Sequence, residues 1–235
     1  MLAVLYALEE EIRGLHPLLV DRTIVEHPWA RVERGVCDGH QIVLVHSGAG
    51  KVLSTMTAQS VLDRFSPSCL ALCGVSGALN PAYARGDLVI GNDFIQHDIK
   101  TEYFGFADGQ VPFTDLRVIP SFQPLLETTQ RFGLSDAAVH RGRILSGDQF
   151  VSGIRGSELR RDFGGDVVDM ESAAVALVCH LNKTPFIVAR TISDRANEEA
   201  ASDFGDFLPR ASIHVTAFIR HLLGTVFSSD FNERL

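Results

Sequence analysis

The chain contains an uninterrupted apolar run, Cys69-Leu70-Ala71-Leu72-Cys73-Gly74-Val75, that ends at Ser76-Gly77. A short apolar run bounded by turn-forming residues is typical of a buried strand. Glycines at the end of such a strand allow a ligand or a neighbouring strand to approach the backbone closely. The run therefore predicts a strand whose glycine-containing end allows close approach of a ligand or of the sheet.

On both sides of this run, strand-like and helix-like patterns alternate. Further strands are predicted at Leu2–Leu8, Ile42–His46, Leu88–Ile95, Arg143–Leu145, Val167–Asp169 and Phe186–Arg190, and helices at Glu10–Leu19, Val52–Phe65, Val118–Phe132, Glu171–Leu181 and Phe207–Leu223. Alternation of this kind requires crossover connections, which favour a largely parallel sheet. The predicted fold class is α/β, with helices flanking a mixed, mostly parallel central sheet.

The length of 235 residues and the absence of a repeat or linker predict one domain over residues 1–227 and a frayed tail over 228–235. The stretch from Gly105 to Pro120 is rich in glycine, proline and polar residues and is predicted to be a long loop. Long loops inside compact domains are usually functional.

The formal net charge is −8 and the sequence pI is about 5.5. This acidic balance argues against nucleic acid and anionic membranes as partners, because both require a basic face. It does not argue against a small anion held by one or two arginines.

The four cysteines form no CxxC pair, and the expectation is reduced, half-buried thiols in a reducing compartment. No two of the nine histidines have zinc-ligand spacing with a third ligand nearby, so no metal is predicted. The apolar start Met1–Leu8 is followed at once by Glu9–Glu11, unlike a signal peptide, and no apolar run has the length of a membrane span. These features predict a cytoplasmic protein.

Reactive side chains cluster where the predicted strands end. Glu11 follows the first strand, Asp169 and Glu171 flank the end of another, and Arg190 and Asp194 follow the strand that begins at Phe186. Ligands of open α/β sheets bind beyond the carboxyl ends of the strands. A set of carboxylates there suits glycosidic-bond cleavage, in which one acid protonates the leaving group and another activates water.

Each of these residues also has a purely structural interpretation. Glu11 fits the first turn of a helix, stabilised by the helix dipole, and so does Glu171. Arg190 fits an ion pair with Asp194, and Asp194 fits a cap of the turn after its strand. Ser47-Gly48-Ala49-Gly50-Lys51 has neither P-loop nor dinucleotide-fold spacing.

Taken in order, nine segments resemble the 5'-methylthioadenosine/S-adenosylhomocysteine nucleosidases. The segments are Ala7-Leu8-Glu9-Glu10-Glu11, Ser47-Gly48-Ala49-Gly50-Lys51-Val52, Gly74-Val75-Ser76-Gly77-Ala78-Leu79, Gly86-Asp87-Leu88-Val89, His97-Asp98 with Phe104-Gly105, Gly109-Gln110-Val111-Pro112, Ser146-Gly147-Asp148-Gln149-Phe150, Asp169-Met170-Glu171-Ser172-Ala173-Ala174, and Arg190-Thr191-Ile192-Ser193-Asp194. The resemblance runs from the first strand to Leu208. It implies a nucleoside phosphorylase-like fold and hydrolytic release of adenine from 5'-thio-substituted ribose, without cofactor or metal.

The resemblance also implies catalytic roles. Glu11 would polarise the attacking water, and Arg190 would help to order the water side. Asp194 would protonate or hydrogen-bond the purine N7, with support from Ser193. Cleavage builds positive charge on the ribose and negative charge on the base, which these groups suit. An acid that acts near neutral pH must keep its proton, so burial is expected to raise the pKa of Asp194.

The remaining implied roles concern binding. Met170 and Glu171 would hold the ribose, Phe150 would stack on adenine, and the backbone of Val151 would read the base edge. The same resemblance implies that Ala49 and Val75 line the substrate pocket and that Leu8 and Phe204 line its 5'-substituent part. Phe104 and Pro112 would reach into the pocket of a second subunit, because family members are homodimers.

Three positions depart from the family pattern: Val75 where serine is frequent, Tyr6 where a small residue is common, and Asp169 in place of a glutamate. These departures leave the 5'-group of the substrate open. Futalosine or aminodeoxyfutalosine hydrolysis is one alternative, and a non-catalytic nucleoside-binding relative is another. A phosphorylase is a third, but the chain lacks an arginine loop to cradle phosphate, which favours hydrolysis.

Overall fold

The computed structural model describes residues 1–196 and 200–228, and for residues 200–206, 208 and 209 it describes the backbone alone. The strands are β1 (Leu2–Tyr6), β2 (Val20–Val25), β3 (Arg31–Cys37), β4 (His40–His46), β5 (Cys69–Ala78), β6 (Leu88–Gln96), β7 (Ile119–Pro120), β8 (Val139–Ser146), β9 (Val167–Asp169) and β10 (Phe186–Asp194). The α-helices are α1 (Lys51–Phe65), α2 (Gln123–Thr128), α3 (Ile154–Phe163), α4 (Ser172–Leu181) and α5 (Ala200–Val226). The predicted tail 228–235 lies outside the described residues except for Ser228.

The ten strands of the described residues form one mixed sheet in the order β10-β6-β8-β9-β5-β1-β4-β3-β2, and the short β7 pairs with β6 outside this order. β5 pairs in parallel with both β1 and β10, and β6 and β9 each pair in parallel with β8. Since β10 also pairs with β6 and β5 with β9, these five strands close into a ring, and β1, β4, β3 and β2 extend from it.

Helices cover both faces of the sheet. One core cluster packs apolar residues of α5, among them Phe218 and Leu222, against one face, together with Leu125 of α2. The other cluster packs residues of α1 and α4, such as Val61 and Val175, against the opposite face. This arrangement confirms the predicted α/β class, in which helices flank a mixed central sheet. All four cysteines are free and buried, which is deeper than the half-burial expected from the sequence.

Two predicted helices are wrong. In place of a helix over Glu10–Leu19 the chain forms two 3₁₀ turns, Glu9–Ile12 and His16–Leu18. Pro17 lacks the N–H that a continuous helix needs. Gly14 lies against α5, where an added Cβ would come within 2.5 Å of Thr216 Oγ1.

In place of a helix over Val118–Phe132 the chain forms β7, the short α2 and a 3₁₀ turn, Thr129–Arg131. Pro120 lies in the strand, and Pro124 occupies the first turn of α2, a position that favours the start of a helix. The hairpin β2–β3 and helix α3 were not among the predicted elements. Every residue of β2 except Val25 is exposed, so β2 carries little strand signal.

No helix within the described part of the chain has the length and apolar character needed to cross a bilayer. The same residues bring together no group of three or more histidine, cysteine, aspartate or glutamate side chains that could hold a metal ion.

Candidate active site

A cavity of about 180 Å³ opens where β1, β5, β9 and β10 end. It is lined by Ala7, Leu8, Glu11, Ala49, Val75, Ser76, Gly77, Gln149, Phe150, Val151, Val168, Asp169, Met170, Glu171, Ser193 and Asp194. Apart from Arg190, Phe104 and Pro112, the described site residues inferred from the sequence therefore come together in this lining. Ligand sites of proteins are typically apolar cavities with a few convergent polar groups, and this cavity has that character.

Glu11 is held by backbone amides from two separate segments. The N–H groups of Ala7 and Leu8 donate to Oε2 at 2.9 Å each, and the N–H of Val75 donates to Oε1 at 3.0 Å. The side chain is buried, and burial raises the pKa of Glu11 above its usual value, while Arg190 and the amide hydrogen bonds oppose that rise. The helix-start interpretation of Glu11 is incomplete, because its carboxylate also accepts a bond from β5.

Arg190 lies behind the cavity rather than in its lining, within β10 rather than at its end. Its Nε lies 2.7 Å from Asp169 Oδ2, and its Nη2 lies 3.2 Å from Glu171 Oε2. The ion pair with Asp194 considered from the sequence is therefore wrong. The partner carboxylates reach Arg190 from β9 and from the residue before α4, which are distant in sequence.

Glu171 links three parts of the structure. Besides Arg190, it accepts a 2.8 Å hydrogen bond at Oε1 from the backbone N–H of Gly50, directly before α1. Burial is the largest cause that raises the pKa of Glu171 to about 7, with Asp169 and Glu11 adding to it and Arg190 opposing it. The glycine turn before α1 therefore provides a main-chain donor for a carboxylate of the cavity.

Asp194 ends β10 and is 3% exposed. Its Oδ2 accepts a hydrogen bond from Ser193 Oγ at 2.8 Å, and its Oδ1 accepts one from the backbone N–H of Ala196 at 2.8 Å. It therefore caps the turn after its strand, as the structural interpretation expects, and it also faces the cavity. An added Cβ on Gly77 would lie 2.9 Å from Asp194 Oδ1, so even alanine at this position would displace the Asp194 carboxyl group.

The apolar lining comes from separate elements. Phe150 and Val151 lie between β8 and α3, and the Phe150 side chain is half exposed at the cavity. Val75 packs with Phe207 and Ala211 of α5 in a small buried cluster. The serine often found at position 75 is thus replaced by an apolar contact with α5.

Two of the predicted binding residues, Phe104 and Pro112, do not line this cavity. Phe104 is 70% exposed and Pro112 lies on the same outer loop, near the exposed Tyr103 and Phe113. That placement agrees with a role outside their own subunit's cavity but does not test it. The side chain of Phe204 lies outside the described residues.

Several lining residues were missed by the sequence analysis. Ala7 and Gln149 each precede a predicted residue, so sequence proximity could have indicated them. Ser76 also lines the cavity, and its hydroxyl has no hydrogen-bond partner among the described residues. A buried hydroxyl without a partner costs about 1–3 kcal/mol, and only the folded arrangement reveals it.

Comparisons with known proteins identify the family of the chain. The family model of the phosphorylase superfamily matches residues 2–224. The 5'-methylthioadenosine/S-adenosylhomocysteine nucleosidase of Anoxybacillus flavithermus is 33% identical over 223 residues, which cover 93% of this chain and 96% of the relative.

Solved structures are similar over nearly the same length. The Neisseria meningitidis nucleosidase of that name, in complex with methylthio-immucillin-A, has a TM-score of 0.87 and 32% identity, covering 94% of this chain and 97% of that one. The futalosine hydrolase of Helicobacter pylori also has a TM-score of 0.87, with 29% identity and coverage of 95% and 97%.

Proposed function

Since the chain belongs to the phosphorylase superfamily, and within it to the 5'-methylthioadenosine/S-adenosylhomocysteine nucleosidases, we propose that it hydrolyses the N-glycosidic bond of these 5'-thio-substituted adenosines and releases adenine. The observation that carries the proposal is the convergence of Glu11, Glu171 and Asp194 on one cavity with a largely apolar lining.

Glu11 is the proposed base. Its carboxylate is buried, and three backbone N–H groups fix its position. A water bound to it would be oriented toward the anomeric carbon and would lose a proton to Glu11 as the new C–O bond forms. Fixed donors and acceptors of this kind need no reorganisation during the reaction.

Asp194 is the proposed acid on the other side of the bond. When the C–N bond breaks, its electron pair goes to the purine, and a proton from Asp194 at N7 neutralises the leaving base. The bonds from Ser193 Oγ and the Ala196 N–H hold the carboxyl group in place. The expected rise in the pKa of Asp194 remains a prediction.

Glu171 and Met170 are proposed to hold the ribose. The carboxylate of Glu171 accepts from Gly50 and Arg190, and each oxygen keeps a further lone pair for a ribose hydroxyl. Arg190 orders this side of the cavity by pairing with Glu171. Phe150 is proposed to stack on adenine, the backbone of Val151 to read its edge, and Leu8 and Phe204 to contact the 5'-substituent.

The proposed active unit is a pair of chains. Tyr103, Phe104 and Phe113 are all at least 70% exposed on the loop that contains Pro112, and exposed aromatic groups of this kind often mark an interface. In the proposed homodimer, Phe104 and Pro112 complete the 5'-pocket of the partner. The four buried free cysteines suit the reducing conditions of the cytoplasm, where we place the enzyme.

Hydrolysis of a futalosine-type nucleoside is the second candidate, favoured by the similarity to the Helicobacter pylori futalosine hydrolase. Phosphorolysis has less support, because the cavity lining contains carboxylates and no arginine among the described residues, and Arg190 is already paired.

A substrate panel in phosphate-free buffer tests the proposal. Adenine release would be measured with methylthioadenosine, adenosylhomocysteine, 5'-deoxyadenosine and aminodeoxyfutalosine. We expect the highest kcat/KM for the two thio-substituted nucleosides. Strict dependence on added phosphate, with a ribose 1-phosphate product, would refute hydrolysis, and preference for aminodeoxyfutalosine would support the second candidate. Lack of turnover with all four would support a non-catalytic relative.

A further inference from the structure

Asp169 has an unusually complete set of contacts for a residue without an assigned role. Its Oδ1 accepts hydrogen bonds from Ser146 Oγ at 2.5 Å and from the backbone N–H groups of Glu171 and Ser172 at 3.2 and 3.1 Å. Its Oδ2 accepts from Ser172 Oγ and lies 2.7 Å from Arg190 Nε. Asp169 therefore joins β8, the start of α4 and β10.

These contacts determine how Arg190 is oriented. The Nε–H of Arg190 donates to Ser172 Oγ at 3.0 Å and lies 2.7 Å from Asp169 Oδ2, and these contacts fix one edge of the planar guanidinium. Nη2 contacts Glu171 Oε2 at 3.2 Å, and Nη1 lies beside Gly74, where Glu11 Oε1 also lies. One arginine held at one edge thus faces two carboxylates of the cavity.

We propose that Asp169 is a positioning residue for the reaction. It holds Arg190 against Glu171 and Glu11 and fixes the first residues of α4, and it thereby sets the place of the ribose-binding carboxylate. The inference rests on the proposed function, because that function is the basis for assigning Glu171 to ribose binding. The rival explanation is that Asp169 only caps α4 and stabilises the fold.

The groups that face Glu171 come from each element packed against it. They are Arg190 from β10, Asp169 from β9, Glu11 from the first 3₁₀ turn and the N–H of Gly50 before α1. Asp169 is a like charge and raises the pKa of Glu171, and Arg190 lowers it. When the Asp169 charge is removed, both Arg190 and the lost repulsion act to lower the pKa of Glu171.

The experiment compares Asp169→Asn and Asp169→Glu with the wild-type enzyme in pH profiles of kcat/KM. Asp169→Asn should lower kcat/KM by about 10- to 100-fold, the usual effect of a displaced reactive group. The acid limb of its pH profile should move to lower pH by about one pH unit, because removal of the nearby negative charge lowers the pKa of Glu171. Asp169→Glu keeps the charge and should keep the wild-type limb.

The matched control is Asp87→Asn. Asp87 is also buried, and it accepts hydrogen bonds from two backbone N–H groups and from His140, outside the cavity. This variant should lower Tm and leave the pH profile unchanged. If Asp169→Asn lowers Tm but keeps the wild-type kcat/KM and acid limb, the positioning role is refuted.

Two further measurements keep the test decisive. If Asp169→Asn does not fold, Ser146→Ala removes the 2.5 Å hydrogen bond but keeps the charge, and it should lower kcat/KM by about 3- to 10-fold. Wild-type kcat/KM in that variant would refute the role.

The pKa of Glu171 can be measured by carboxyl ¹³C NMR, with the signal assigned from Glu171→Gln. It should be lower in Asp169→Asn than in the wild type, even if the wild type released no adenine. An unchanged pKa would refute the inference, whereas inactivity of the wild type alone would refute only the proposed function.

Discussion

Replacing Gly74 by alanine tests whether the positions of Glu11 and Arg190 beside β5 control the reaction. Gly74 lies inside β5, and its φ is not positive, so its backbone accepts any residue. The obstacle is space. An added Cβ would lie 2.4 Å from Glu11 Oε1 and 2.5 Å from Arg190 Nη1.

Ordinary van der Waals contact begins at 3.4 Å, so each group must retreat by about 1 Å. Glu11 cannot move that far and keep its amide bonds of 2.9–3.0 Å. A displacement of about 1 Å at a reacting group costs about 10²-fold in rate. Separately from the rate, overpacking should lower the free energy of unfolding by about 1–3 kcal/mol, which lowers Tm by about 2–12 °C.

The assay is adenine release under kcat/KM conditions, paired with thermal unfolding. The matched control is Gly142→Ala in β8, where the added Cβ would lie 2.8 Å from Asp166 Cβ and Oδ2, outside the cavity. We expect both variants to lose stability and only Gly74→Ala to lose activity. Wild-type kcat/KM in Gly74→Ala, or an equal loss in Gly142→Ala, would show that the reasoning is wrong.

Three further variants separate the proposed roles. Asp194→Asn should lower kcat by about 10²- to 10⁴-fold with little change in KM, and near-wild-type turnover would exclude it as the acid. Glu171→Gln should lower kcat and raise KM. Because the pKa of Glu171 is raised from 4.5 to about 7 in the folded chain, protonated Glu171 contributes stability that is complete below pH 4.5 and is lost as the pH rises through about 7. Glu171→Gln should therefore flatten the dependence of Tm on pH between these values. An unchanged slope would contradict the raised pKa. Phe104→Ala should raise KM and weaken self-association in sedimentation experiments, and a fully active wild-type monomer would refute the shared pocket.

The central strands could be predicted because their residues are apolar without interruption. Leu2–Tyr6 and Cys69–Ala78 are buried at every position, and their short length and flanking turn residues favour a strand over a buried helix. The hairpin β2–β3 was missed because its edge strand carries Asp21, Arg22 and Thr23 and faces solvent. Its pairing depends on the neighbouring β4 rather than on its own composition.

The site residues also divide into those that the sequence indicated and those that it did not. Glu11, Glu171 and Asp194 could be selected because each follows a predicted strand, and parallel strands end at one edge of the sheet. The partners of Arg190 could not be selected, because they depend on the strand order that places β9 beside β5 and β5 beside β10. The proximity of Asp194 in sequence indicated the wrong partner.

The way Glu11 is held has a consequence for how the protein can evolve. The three N–H groups that bind its carboxylate belong to Ala7, Leu8 and Val75, and the same three residues line the cavity. Every amino acid except proline supplies that N–H, so a change of side chain at these positions alters the shape of the pocket and leaves the Glu11 carboxylate in place. The shape of the pocket can therefore change at these positions, one of which is Val75, while main-chain donors keep the proposed base, Glu11, in the same position.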